Sequence, residues 1–409
     1  MMNRTRVMQM FVLASSLLFA SAACGGDRVE KLPFGLKSEV VATADRVSAM
    51  AFAPDGRLFL AEQFSGAIRI VSADGQLQAE PFAQLQVATY IDLDWGLTGL
   101  ALDPDFESNH FVYAFYTEPA SEDGPTGKPK LVRFTEKAGV GTDQKVIPGE
   151  FAETAAIHQG YNANGQIHFG QDGFLYLSVG DYDVHADTPE EIRDLGSPLG
   201  KLLRIDPEQG FGAPGNPYED DAEADARVFA QGFREPFPFA VHPESGAIYG
   251  TDNTPVTCEE LNIIEAGGNY GWPDMGEFPF ADCAFGDQVQ AIHLFAREGF
   301  EPQGFLSFVE VSGLAFAPAD KYPQLGESLF VCESHASPAA DQTIGPGVLR
   351  RLVLTGAGFD QVAASDLIVR DCKGDVAVSP DGTVYYSNNT EVRRLVTAPE
   401  ENTIPTPVP

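Results

Sequence analysis

A short apolar strand, a turn and a second strand rich in aromatic and β-branched residues recur six times along this chain. The copies span Met50–Leu60, Leu100–Tyr113, Ile167–Leu177, Phe239–Tyr249, Leu314–Val331 and Val376–Tyr386. Five carry Pro at or just before the turn, and Asp-Gly closes three of them, at Asp55-Gly56, Asp172-Gly173 and Asp381-Gly382. Pro fixes φ and Gly supplies the left-handed step, so each copy is a hairpin with a mechanism behind it. A hairpin repeated along one chain builds a radial array with one blade per copy. The expected fold class is therefore all-β, a six-bladed β-propeller. Longer inserts follow the second to fifth copies, and such inserts gather on the rim of one face, where binding residues sit.

The ends of the chain read differently. Arg4 and Arg6, an apolar run from Val7 to Ala20 and Ser21-Ala22-Ala23 before Cys24 form a charged, then apolar, then small-residue series. That is a secretion signal, too short in its apolar part to span a bilayer comfortably. Cys24 after two alanines resembles the lipidation site of bacterial lipoproteins, with ordinary secretion as the alternative. The expected division is a signal peptide over 1–23, a tether over 24–37 behind a lipidated Cys24, the propeller over 38–397 and a proline-rich, disordered tail over 398–409. The expected location is the outer membrane or cell surface, or the periplasm or medium if Cys24 is not lipidated, with membrane contact only through the lipid anchor.

Export gives the other cysteines a meaning. Cys258, Cys283, Cys332 and Cys372 are an even set in an oxidising compartment, which predicts two disulfides with three possible pairings. Proximity favours Cys258–Cys283 and leaves Cys332–Cys372; zinc is the competing use, without a supporting C-x-x-C or His spacing. The 59 acidic against 26 basic residues give a formal charge of −33. Nucleic acid and anionic lipid are poor partners for such a surface. A solvated acidic exterior is the simple reading of that charge, and affinity for calcium the functional one.

Several segments carry more than fold: Gly96–Phe106, Gly173–Asp181, Gly200–Asp206, Gly232–Pro236, and Glu259–Asn262 leading into Gly267–Pro273. Their order and content, over about residues 40 to 395, closely resemble the glucose/sorbosone dehydrogenase family. Its members are soluble quinoproteins that oxidise sugars with pyrroloquinoline quinone (PQQ) and calcium. The resemblance implies a quinone on the top face near the propeller axis and a small sugar or carbohydrate as partner. It also implies a base that takes the proton of the sugar's C1 hydroxyl while hydride passes to the quinone, a task that suits histidine.

Laid on that pattern, the expected site is remodelled. Asn162 stands at the family's histidine, and an amide cannot act as general base; His158 lies in the preceding loop, within a few residues of the vacated position. Arg234 matches the arginine that steadies reduced quinone and substrate. Glu235 replaces the usual Asn, Asp94 stands where a quinone-contacting amide is expected, and Lys373 is the one cation where an arginine pair is usual. Thr254-Pro255 matches the carbonyl pair that binds the quinone's calcium, while Glu259, Glu260 and the Tyr270 carbonyl suit a structural calcium. Three functional expectations follow. The first is a PQQ- and calcium-dependent sugar dehydrogenase with a remodelled, even inactive, site. The second is a non-catalytic propeller binding carbohydrate or protein. The third is a calcium-dependent lactonase with Asp94, Asn162 and Glu235 as ligands.

Overall fold

The computed structural model describes residues 32–89, 94–119, 127–152, 161–184, 187–254, 258–274, 283, 288–296, 309–335 and 345–398. The expected signal peptide, Cys24, His158, Pro255 and all but the first residue of the expected tail lie outside them. Contacts divide the chain into Met1–Glu30 and Lys31–Pro409. The propeller belongs to the second unit.

The first strand, β1 (Leu36–Thr43), is set aside for the last blade. Blade one is β2 (Val47–Phe52), β3 (Leu58–Glu62), β4 (Ala67–Val71) and β5 (Ala83–Gln84). Blade two is β6 (Leu97–Leu102), β7 (Phe111–Pro119), β8 (Gly127–Lys137) and β9 (Val140–Ile147). Blade three is β10 (Ile167–Phe169), β11 (Leu175–Val179), β12 (Lys201–Ile205) and β13 (Val228–Gln231). Blade four is β14 (Phe239–Val241), β15 (Ile248–Asp252), β16 (Glu259–Ile264) and β17 (His293–Phe295). Blade five is β18 (Glu310–Ala317), β19 (Ser328–His335), β20 (Gly345–Thr355) and β21 (Gln361–Val369). Blade six is β22 (Val376–Val378), β23 (Val384–Ser387) and β24 (Glu391–Thr397), completed by β1 in the order β1-β24-β23-β22.

Each repeated hairpin is thus the inner pair of strands of one blade. Their registers follow from the turns: Phe52 faces Leu58, Ile167 faces Leu177, Val241 faces Ile248 and Val378 faces Val384. At the first turn Gly56 takes φ +86 and donates its amide to the Ala53 carbonyl at 2.9 Å, the step that Asp-Gly foretold. Pairing β1 with β24, from Leu36 opposite Thr397 to Thr43 opposite Glu391, closes the ring by joining the two ends of the described chain. Because β1 leads into β2 of blade one, this pairing fastens the last blade to the first.

The six inner strands contact one another in a closed cycle, β2 to β6, β6 to β10, β10 to β14, β14 to β18, β18 to β22 and β22 to β2. Polar links cross almost every junction. Ser48 Oγ donates to the Leu97 carbonyl, Thr98 Oγ1 to the Gly165 carbonyl, and Asn164 Nδ2 to Glu235 Oε1. The Val311 amide donates to Asn253 Oδ1, and the Met50 amide to Asp375 Oδ2. Between blades five and six the link is covalent, the Cys332–Cys372 disulfide. The second disulfide joins Cys258 to Cys283, so the pairing favoured by proximity is the one formed.

Between blades the interior is aromatic and aliphatic. Phe59, fully buried on β3, meets Phe82 edge-on at 5.4 Å and Phe106 at 6.0 Å. Phe59→Ala empties a site between two blades that cannot collapse independently. It is expected to cost about 3–5 kcal/mol in a urea titration; a loss below about 1 kcal/mol would show that the blade interface relaxes freely.

Candidate functional site

Because every blade repeats the same strand order, the segments entering the six inner strands all lie at one end of the axis. Arg46 precedes β2, Asp94 precedes β6, and Asn162 to Gln166 precede β10. Arg234 and Glu235 precede β14, Glu310 opens β18, and Lys373 to Asp375 precede β22. Asp94, Asn162, Arg234 and Glu235, chosen from sequence, come together there. Arg46, Asn164, Asp181, Asp252 and Glu310 join them and were not singled out beforehand.

Asn162 sits in the left-handed region at φ +52, and its amide donates to Asp94 Oδ2 at 2.8 Å. Its side-chain Nδ2 donates to Asp181 Oδ1 at 2.7 Å. Asp181 is fully buried and accepts the Trp272 indole N–H on its other oxygen at 2.9 Å. Asp181 is therefore a fixed acceptor that orients whatever side chain stands at 162. With asparagine there, position 162 itself presents a neutral amide that cannot take a proton. His168 does not replace it. It lies edge-on to Phe239 at 4.8 Å, and burial pushes its pKa down to about 4.

Asp252 builds the next part of the site. Its carboxylate accepts the Arg234 amide at 3.0 Å and the Glu235 amide at 2.7 Å, clamping the entry to β14. The segment is braced from outside by Gly267–Trp272. Tyr270 stacks on Phe233 at 4.6 Å, and the Trp272 amide donates to the Gly232 carbonyl at 2.9 Å. Gly232, at φ +82, has no room for a Cβ because Asn269 Oδ1 occupies that space. Arg234 Nη1 donates to the Asn253 carbonyl at 2.9 Å and lies 3.7 Å from Glu235 Oε2, while its Nε is buried without a hydrogen-bond partner among the described residues.

Carboxylates dominate what remains. Burial raises the pKa of Asp94, with Arg234 opposing it. Burial and then the Asp94 charge hold the Glu235 pKa well above the ordinary range. Burial and Asp94 likewise lift Glu310 to about 7. Deeper in the ring, burial lifts Asp252 to about 7 and Asp375 to about 8 against the amides they accept from. Unfolded carboxyls titrate near 4, so between about pH 4.5 and 8 the folded chain holds protons that the unfolded chain has released. The stability contributed by these groups is complete below about pH 4.5 and is lost as pH rises through 7 to 8. The urea midpoint is expected to fall between about pH 5 and 8 and then level; a midpoint that climbs over that window contradicts the assignment.

The quinone of the related enzymes is a tricarboxylate, and these residues do not fit it. Of the cations on the ring, Arg234 gives Nη1 to the Asn253 carbonyl beside Glu235 and keeps Nε without a partner among the described residues, and Arg46 lies over the Phe64 ring at 4.5 Å. The amide of Lys373 donates to the Ser387 carbonyl, and its stem passes Gly347. Against them stand Asp94, Glu235 and Glu310.

The calcium candidates lie beside the ring. The buried Thr254 amide donates to Glu259 Oε2 at 3.0 Å, while Glu259 Oε1 is buried without a hydrogen-bond partner among the described residues. Glu260 accepts from Asn262 at 3.1 Å, and burial raises its pKa to about 8. The Tyr270 hydroxyl bridges the Ile263 carbonyl and the Glu265 amide. Among the described residues no three His, Cys, Asp or Glu side chains gather closely enough to hold a metal ion. Oxygen donors such as these suit a hard cation, with backbone carbonyls supplying the remainder.

Comparison with known proteins agrees with this fold and order of segments. The model of the glucose/sorbosone dehydrogenase family matches residues 45–397. The aldose sugar dehydrogenase YliI of Escherichia coli is 26% identical over 365 residues, covering 88% of this chain and 91% of that protein. A crystal structure of a Thermus thermophilus oxidoreductase described as a glucose dehydrogenase superposes with a TM-score of 0.67 at 30% identity, covering 88% of this chain and all of that one. The PQQ-bound form of an aldose sugar dehydrogenase from Streptomyces coelicolor shares the fold, with a TM-score of 0.60 at 22% identity over 89% of this chain and 99% of that one.

Proposed function

This chain belongs to the glucose/sorbosone dehydrogenase family, and we propose that it is a sugar-binding member whose axial site is remodelled away from quinone-dependent oxidation. The observation that supports this most is Asn162, locked by Asp181 at the place where proton abstraction needs a base. Glu235, held by Asn164, adds a carboxylate where an anionic quinone would lie. What remains is a polar cup of carboxyl groups, amides and the guanidinium groups of Arg46 and Arg234, which suits hydroxyl-rich ligands because each hydroxyl both donates and accepts.

Calorimetric titration with a panel of aldoses, without quinone, tests the reading. Saturable binding that weakens about tenfold or more in Asn164→Ala is expected. No aldose binding at millimolar concentration would overturn it.

A second reading, turnover with quinone and calcium, is supported by the retained Arg234, the Asp181–Trp272 pair and the Thr254–Glu259 contact. In it the Thr254 and Pro255 carbonyls hold the ion, which would polarise a bound carbonyl. The lactonase alternative has less behind it, since Asp94, Asn162 and Glu235 are tied to backbone and amide partners rather than turned on one point.

The envelope location belongs to the same proposal and rests on Arg4, Arg6, the apolar run to Ala20 and Cys24. Cys24→Ser is expected to move the protein from the membrane fraction to the soluble one; unchanged partition would contradict a lipid anchor.

A further inference from the structure

We infer that Lys201 is a positioning residue for the axial site, setting the Asp181–Asn162 wall through a short helix and Trp272. The effect on a bound sugar rests on the sugar-binding reading above, whereas the effect on Trp272 does not.

Lys201 opens β12, opposite Val179 on β11 and Gln231 on β13. Its side chain is fully buried, and its Nζ donates to the Ile192 carbonyl at 2.5 Å and the Leu199 carbonyl at 2.8 Å. Ile192 lies in the helix Pro189–Arg193, whose five residues are too few to hold a helix by themselves. The lysine therefore pins the last turn of that helix and the chain that returns from it to one atom. No carboxylate forms a hydrogen bond or ion pair with Nζ among the described residues. Burial lowers its pKa to about 7, with the charges of Asp194 and Asp225 opposing. A buried amine without a counter-ion is costly, and methionine fills the same space without that cost. Stability alone does not explain a lysine here, whereas direction does.

From the helix, contacts run without a break to the site. Arg193, its last residue, donates Nε to Asp274 Oδ2 at 2.9 Å. Asp274 follows Trp272 by two residues, and its amide donates to the Gly271 carbonyl at 2.8 Å. The indole N–H of Trp272 then holds Asp181 at 2.9 Å, and Asp181 holds the Asn162 side chain at 2.7 Å. The backbone beside Lys201 ties the same parts together. Gly200 donates to the Gly180 carbonyl and accepts from the Phe233 amide, both at 3.2 Å, while the Asp181 amide donates to the Arg234 carbonyl at 2.8 Å. At φ +65, Gly200 has no room for a Cβ between the Phe233 carbonyl and Ile192. Lys201 is thus anchored where the Asp181 and Arg234 segments meet.

Fluorescence of the whole protein tests this in a Trp95→Phe background, which leaves Trp272 as the one tryptophan. Lys201→Met is expected to keep the urea midpoint within about 0.5 M of that background. It is also expected to raise acrylamide quenching of Trp272, now only 8% exposed, by at least ~2-fold. Arg193→Gln cuts the next link, an exposed ion pair that contributes little to stability, and is expected to raise quenching as well. Because the links act in series, the double variant is expected to be quenched no more than Lys201→Met alone. Aldose affinity, measured by calorimetry, is expected to weaken at least ~5-fold in Lys201→Met. Unchanged quenching in Lys201→Met would overturn the inference, and so would quenching that simply adds in the double variant. A urea midpoint lowered by more than about 1 M would make Lys201 a structural anchor and also overturn it. A wild type that binds no aldose, with the quenching changes as expected, would overturn the sugar reading and leave the positioning of Trp272 and Asp181 standing.

Discussion

Asp252→Ala is expected to destabilise the protein by about 2–4 kcal/mol and to abolish sugar binding in the molecules that remain folded. The buried carboxylate anchors two successive amides, those of Arg234 and Glu235, at 2.7 to 3.0 Å. Alanine leaves both N–H groups facing an apolar interior, each at a cost of about 1–3 kcal/mol, less what is recovered by no longer burying a carboxyl. The Arg234–Glu235 segment then loses its direction, and with it the contacts to Asn253 and Asn164. Asp252→Asn keeps one acceptor oxygen and is expected to lose only about 1 kcal/mol. Urea titration of the two variants at neutral pH separates them; an alanine variant as stable as wild type would show that the clamp carries nothing.

Removing the Cys332–Cys372 bond by a double alanine replacement is expected to cost about 3–4 kcal/mol. The bridge closes a separation of 40 residues, for which loop-closure entropy alone gives about 4 kcal/mol. Its place makes the effect consequential. It ties β19 of blade five to the segment entering β22 of blade six, where the other junctions around the axis use hydrogen bonds. Opening it loosens the ring beside its closure by β1 and β24. A loss below about 1 kcal/mol would mean that packing alone holds that junction.

The six-blade architecture was legible because the inner hairpin of each blade is local: its turn chemistry and strand pattern lie within a short stretch of chain. The outer strands were less visible. β5 is two residues long and β13 four, too short for any periodicity to register. At the site, Asp94, Asn162, Arg234 and Glu235 were found by their place in the family pattern, and they meet because each precedes an inner strand. The same rule points to Arg46, just ahead of β2, and to Glu310, at the first position of β18. Asp181 follows the second strand of its blade and closes the family segment Gly173–Asp181 without a role assigned to it, and Asp252 ends the second strand of the next blade with nothing in its local sequence to separate it from a surface aspartate. Only the fold shows that they are buried and bound to N–H donors. Glu260 and Tyr270 were chosen as calcium ligands; their side chains brace the loop beside the ring, and an ion there remains part of the second reading. His158 and Pro255 fall outside the described residues.

The central claim is that the axial ring no longer takes a quinone through sugar oxidation. The most direct measurement is an equilibrium titration of the protein with PQQ and calcium, followed by tryptophan fluorescence and by dye reduction with aldoses. Wild type is expected to show no saturation at about 100 μM quinone, a binding free energy weaker than about −5.5 kcal/mol, and no turnover. The double variant Asn162→His, Glu235→Asn restores a base that Asp181 can orient and removes one opposing charge; it is expected to bind quinone measurably tighter. Saturable quinone binding by the wild-type protein together with aldose-dependent dye reduction would contradict the account.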